Sequence, residues 1–178
     1  MKIGLVRHFK VISPKGKKNL NSAEFNEMMN RYDIHPVKPN KIIIHSSEWD
    51  ICYASTLSRA QITAKAIYDK EIITTPLIIE VPLSASIRTN TKLHYMVWQI
   101  AGRIAWYFSS KSQKEIKPQT LSRIDEFFKE IENSGHQNIL VVSHGFFMKV
   151  FVRELKKRGF KGELDLSPKN GKLYRFIK

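Results

Sequence analysis

Two short apolar strings constrain this fold more than any other feature: Leu5-Val6-Arg7-His8 near the start and Val141-Val142-Ser143-His144-Gly145 near the end. Each is a run rich in β-branched residues that stops at a histidine, which is how a buried parallel strand reads. Open α/β sheets collect ligands just beyond the C-terminal ends of their strands. Two histidines 136 positions apart are therefore expected in one crevice. Between them, Tyr53-Ala54-Ser55-Thr56-Leu57-Ser58-Arg59-Ala60 reads as a strand running into a helix that carries Arg59 in its first turn. Two histidines and two arginines at neighbouring strand ends would make a phosphate site.

Strands are expected over 2–7, 51–54, 72–75, 138–142 and 173–177, with helical periodicity between them. Ser22 is expected to cap a helix reaching about residue 32, with Phe25, Met28 and Met29 on its apolar side. A second helix starts at Ser55 or Thr56 and runs to about residue 69. Leu121, Ile124, Phe128 and Ile131 mark a third, which Gly135 can end, and Met148, Phe151, Val152 and Leu155 a fourth, ended near Gly159. Strands alternating with helices predict a doubly wound α/β sheet. At 178 residues, with no repeat and no linker, one domain over 1–178 is expected. Residues 13–21 read as a basic surface loop.

The stretch 93–108 stands apart. Leu93, Met96, Val97, Ile100, Ala101, Ile104, Ala105 and Phe108 follow a helical period, and Tyr95, Trp98, Gly102 and Trp106 align on the opposite side. A helix apolar on both faces is expected to be buried on both, wedged between the core and an inserted flap at roughly 86–118. Its aromatic side would then roof the active site or meet an apolar part of a substrate. Arg103, between the faces, could reach a phosphate or an acidic partner.

The formal net charge of +14 marks a basic protein, and residues 149–178 alone carry ten Lys or Arg against three acids. Such a field attracts anionic substrates, nucleic acid or acidic membrane surface without choosing among them, and a solubilising lysine face is the simplest reading. There is no recognised RNA-binding motif, no basic amphipathic helix suited to a membrane and no run long enough for a membrane span. The N-terminus shows no signal-peptide pattern. The single cysteine, Cys52, lies in an apolar strand as an inert thiol, and a cytoplasmic location fits.

The chemistry follows from residue type. Imidazole is a nucleophile near neutral pH without further activation. Two guanidiniums can hold the non-bridging oxygens of a phosphoryl group, and a second histidine, protonated or donating an N–H, can stabilise them as charge redistributes. Ser143-His144-Gly145 also opens a helix whose free N–H groups would face the anion. An acid is still needed to protonate the leaving oxygen. No metal or cofactor is required.

Taken together, Leu5-Val6-Arg7-His8, the segment from Ser55 to Ala64, Glu80 in Leu77-Ile78-Ile79-Glu80-Val81, Val142-Ser143-His144-Gly145 and the closing Asn170-Gly171-Lys172-Leu173-Tyr174 resemble the histidine phosphatase superfamily, branch 1, also called phosphoglycerate mutase-like. The resemblance implies a three-layer α/β/α domain with a mostly parallel central sheet. It implies His8 as a transiently phosphorylated nucleophile, and Arg7, Arg59 and His144 as the phosphate pocket. Glu80 would be proton donor and then base, with Glu115 in reserve. Phe9 stands where the family usually has glycine. The asparagine typical of the sugar-phosphate mutases is missing from Lys10-Val11-Ile12-Ser13-Pro14, which disfavours a mutase. The expected function is hydrolysis of a phosphomonoester, borne by a small molecule or a protein. The alternative is a catalytically weak or inactive protein of the same fold that binds nucleic acid or another acidic partner through its basic surface.

Overall fold

Ile3 to Val6 are buried because their strand has a neighbour on each side, the placement that a continuous apolar run predicts. The computed structural model describes residues 1–12, 17–32, 35–40, 42 and 44–178. In chain order the elements are β1 (Lys2–Arg7), β2 (Lys10–Val11), β3 (Asn19–Leu20), α1 (Ser22–Tyr32), β4 (Val37–Lys38), β5 (Ile51–Ser55), α2 (Ser58–Ile67), β6 (Ile72–Thr75), β7 (Leu93–His94), α3 (Tyr95–Tyr107), α4 (Lys117–Asn133), β8 (Asn138–Ser143), α5 (Gly145–Lys157) and β9 (Leu173–Ile177). Single 3-10 turns lie at Ser46–Glu48 and Pro76–Ile78. Two compact units result, Met1–Val11, Val37–Glu80 and Arg123–Lys178 forming one, Ile12–Pro36 and Val81–Ser122 the other.

The first unit is built on a sheet in the order β6-β5-β8-β1-β9, parallel throughout except for the antiparallel edge strand β9. This is the expected α/β class, and the five expected strands all form. Register places the strand ends together: Arg7 is level with Ser143, and Ala54 with Val142. The residues that follow β1 and β8, His8 and His144, therefore leave adjacent strands at one level, and Ser55 ends the next strand one position earlier. Tyr53 meets Phe127 of α4 edge-on, and Phe127 and Phe128 pack on Phe151 of α5. Gly4 is needed in β1, because a Cβ there would lie 2.4 Å from the ring of Trp49. Gly135 and Gly159, at φ +73° and +87°, end α4 and α5 as their positions predict. Cys52 is buried, and burial pushes its thiol pKa up to about 12.

Two helix starts differ from expectation. Asn21, not Ser22, caps α1: its Oδ1 accepts from the Glu24 amide, and a Glu24 carboxylate oxygen accepts from the Asn21 amide. The Ser22 hydroxyl is occupied by both backbone groups of Thr89. The second helix begins at Ser58, because Ser55 is still in the β5 ladder, level with Thr75.

In the second unit, Phe25 of α1, with Met28 and Met29, packs into a cluster with Leu20, Leu83, Ala85 and Trp98. β3 and β7 pair antiparallel, Leu20 opposite Leu93. Trp98, Gly102 and Trp106 form the buried face of α3. Gly102 allows a close approach, since a Cβ there would lie 2.6 Å from Leu83 and 2.7 Å from the Ser84 carbonyl oxygen. The Trp98 indole donates to the Leu20 carbonyl and that of Trp106 to the Thr120 hydroxyl. Burial on both faces does not occur: Met96, Val97, Ile100, Ile104, Tyr107 and Phe108 are exposed. A period shows that a face is apolar, but the indole N–H partners and the glycine decide which face turns inward. Of the basic loop expected over 13–21, residues 13–16 lie outside the described residues, and 19–20 form β3. Among the described residues no helix is long and apolar enough to cross a membrane.

Candidate active site

The site is assembled at one end of the first unit's sheet. His8 continues the parallel ladder beyond β1, its amide donating to the Ser143 carbonyl at 2.9 Å. Its imidazole is buried, with Nδ1 2.6 Å from the carbonyl oxygen of Phe9. A carbonyl only accepts, so Nδ1 carries the proton and Nε2 keeps its lone pair. Burial, with the neighbouring Arg59 and Arg7 charges adding to it, lowers the His8 pKa to about 3 despite the opposing Phe9 hydrogen bond. The ring is held neutral, with its Nε2 lone pair free.

His144 caps α5, its ring centroid 5.1 Å from that of His8. Arg59 Nε donates to its Nδ1 across 3.2 Å, so the proton is on Nε2, which donates to Ser55 Oγ at 2.7 Å. Burial, then the charge of Arg59, holds its pKa well below the ordinary histidine value. Of the two forms open to the second histidine, the neutral one is therefore present.

Arg7 donates from Nη1 to the Pro168 carbonyl at 2.8 Å, while its buried Nε has no hydrogen-bond partner among the described residues. Its guanidinium lies against Gly145, where a Cβ would stand 3.0 Å from Arg7 Cζ. Arg59 is buried at the start of α2, and its carbonyl accepts from Thr63 Oγ1. That hydroxyl in turn accepts from the Phe9 amide at 2.8 Å. The Phe9 ring is buried, with an edge 3.5 Å from where a Cβ on Gly171 would lie, and so does not narrow an entrance.

Glu80 follows the turn at Pro76–Ile78 and lies across the N-terminus of α5, accepting from the amides of Phe146 and Phe147 at 3.2 and 2.9 Å. These helix N–H groups were expected to face an anionic ligand. A carboxylate of the chain occupies them instead, satisfying donors that no intrahelical carbonyl can reach. Arg123 Nη1 donates to the carbonyls of Leu77 and Ile79, and its guanidinium lies 5.2 Å from the Phe147 ring centroid. Ser143 Oγ donates to the Ile78 carbonyl at 2.7 Å, so the segment leading to Glu80 is held from two directions. Glu115 belongs to the second unit and accepts from Thr120 Oγ1. Arg103, in the same unit, donates to the carbonyls of Val81 and Pro82.

Beside the His8 turn lies a cleft of about 240 Å³ lined by Lys10, Lys38, Pro39, Asn40 and Asn170. Asn170 Nδ2 donates to the His8 carbonyl at 2.7 Å, and Lys10 and Lys38 stand opposite each other across the β2–β4 pair. Sequence reasoning assigned no role to Ser55, Thr63 or Arg123. Ser55 and Thr63 belong to the strand-to-helix string already singled out, but Arg123 carries no local signal.

A mostly parallel α/β sheet that brings two histidines and two arginines together at its strand ends defines a class of phosphoryl-handling protein. The sequence matches the histidine phosphatase superfamily (branch 1) over residues 43–177, and the chain belongs to that family; by class it is a phosphatase. No curated protein sequence matches it. Among solved structures, the phosphoserine phosphatase of Entamoeba histolytica in complex with phosphoserine is 18% identical, with a TM-score of 0.58 over 99% of this chain and 90% of that one. The alpha-ribazole phosphatase of Shigella flexneri is 15% identical, with a TM-score of 0.52 over 98% of this chain and 96% of that one. At these identities the likeness is one of fold.

Proposed function

We propose that this protein hydrolyses phosphomonoesters without a metal, through a phosphohistidine on His8. The observation that carries this reading is the state of the His8 ring: proton fixed on Nδ1 by the Phe9 carbonyl, the Nε2 lone pair left free at neutral pH, and Arg7 Nε beside it in sequence with no hydrogen-bond partner among the described residues. A buried donor of that kind calls for an acceptor, and in so basic a site the acceptor is an anion. Nε2 attacks phosphorus and the bond to the ester oxygen breaks. Arg7 and Arg59 balance the charge on the phosphoryl oxygens, with the His144 ring adding to the pocket. Glu80, entering the step as the protonated acid, gives its proton to the leaving oxygen and, now a carboxylate, takes one from the water that cleaves the phosphorus–nitrogen bond, which restores the acid. Free phosphate is released and His8 is restored.

The substrate class is a small phosphorylated molecule, the kind named for the two structural neighbours. Lys10 and Lys38 on the cleft wall would draw such an anion in. The test is hydrolysis of an aryl phosphate with chelator in excess, wild type against His8→Ala. Activity that survives chelation and disappears in the variant is expected, together with acid-labile labelling of the wild type by phosphate from the substrate. Equal turnover in the two proteins overturns the reading.

A further inference from the structure

One face of α3 has no counterpart in the chemistry above. Met96, Val97, Ile100, Ile104, Tyr107 and Phe108 are each 47% to 76% exposed. They recur at helical spacing, so they form one stripe about 18 Å long at 1.5 Å per residue. The helix is anchored through its other side, where Trp98, Gly102 and Trp106 are buried, so the stripe cannot turn inward without giving up the two indole hydrogen bonds. A contiguous exposed apolar surface of this size marks a site of interaction.

Charge selects the occupant. α3 carries no acidic residue, and across 81–122 the cations Arg88, Lys92, Arg103, Lys111, Lys114 and Lys117 face the single acid Glu115. The Arg103 guanidinium is turned to the Val81 and Pro82 carbonyls, whereas Lys92 and Lys111 are exposed just beyond the two ends of the helix. Lys117 lies with Nζ 3.9 Å from the Tyr107 ring centroid, at the edge of the stripe. A second copy laid on this surface would bring two basic rims together. An anionic lipid surface meets the same rim favourably, while its acyl boundary takes up the apolar side chains. We infer that α3, whose apolar stripe was expected to be buried rather than to meet a membrane, docks this protein on anionic membrane surface, lying in the interface with the stripe from Met96 to Phe108 inserted. The helix is too short to span a bilayer.

Flotation with vesicles of phosphatidylcholine, alone or mixed with phosphatidylglycerol, tests this, with sedimentation of the protein alone run alongside. The wild type is expected to be monomeric and to float only with the phosphatidylglycerol vesicles, less so as salt rises. Ile100→Ser with Ile104→Ser is expected to weaken partitioning by about tenfold or more per residue, with aryl phosphate hydrolysis unchanged as the check on folding. Absence of binding to either vesicle overturns the inference, as does binding that the double variant retains. A dimer that dissociates in the double variant also overturns it, assigning the stripe to a second copy.

Discussion

Arg59 donates its Nε–H to Nδ1 of His144, so a permanent cation and a neutral imidazole are held as a fixed pair in the interior. The pair orders the pocket before any ligand arrives. His144 cannot accept a proton without placing a second positive charge against the guanidinium, and its Nε2–H is directed to Ser55. Preorganisation of this kind avoids reorienting dipoles during the reaction.

Gly145→Ala tests the position of Arg7. The new methyl would stand 3.0 Å from Cζ and 3.1 Å from Nε, and the guanidinium must give way. Steady-state kinetics on an aryl phosphate are expected to show KM raised about tenfold, as when one charge-assisted hydrogen bond is weakened. The unfolding midpoint should stay near that of the wild type. Unchanged KM would remove Arg7 from the phosphate pocket.

Arg123→Met tests a positioning role. The carbonyls of Leu77 and Ile79 would lose their shared donor, freeing the segment that carries Glu80. A fall in kcat of roughly 10- to 100-fold is expected, part of what a positioned acid supplies, with little change in KM. Arg123→Lys, which keeps a donor, should recover part of it. A loss confined to KM, or stability lost with kcat intact, would rule the role out.

Stability should fall on acidification earlier than carboxylate titration alone would cause. Below about pH 6.5 the unfolded chain binds protons on its histidines. Folded His8 does not until about pH 3, and His144 is lowered in the same direction. The unfolded state therefore binds more protons across this window, and stability declines as pH drops, by about 1.4 kcal/mol per pH unit for each histidine. Above the window the two rings contribute no pH dependence. Urea unfolding at pH 7, 6 and 5 measures the slope, and His8→Gln should reduce it by about half. A flat profile would contradict the neutral, buried state of both rings.

Gly4→Ala should destabilise without touching the chemistry. Its Cβ would be 2.4 Å from the Trp49 ring, and Lys2 Nζ already lies 4.6 Å from a centroid of that ring system. Overpacking of this severity costs about 3 kcal/mol. Chemical denaturation would report it, while kcat on folded protein stays at the wild-type value.

What the sequence disclosed was whatever depends on local pattern. β1, β5 and β8 announce themselves as apolar runs, and their shared register then carries His8 and His144 to one level, with Ser55 one position short of it, without further information. The long-range hydrogen bonds were not legible. Arg123 reaches Leu77 across 46 positions and Asn170 reaches His8 across 162, and neither has a periodic or spacing signature. Asn21 and Ser22 are both good caps, and only the contact of Ser22 with Thr89 decides between them. In α3 both faces are apolar, and burial was settled by where two indole N–H groups find acceptors.

The position of β1 between β8 and β9 has a consequence for how the molecule comes into being. The strand leading to His8 is translated before both of the strands that flank it. Until residues 138–177 have emerged, His8 has no ladder to hold it, and Arg7 has neither Gly145 nor Pro168 beside it. A chain interrupted before residue 138 carries His8 without the strands that enclose it. The surroundings of His8 are completed in one step, when the segment 138–177 joins the sheet.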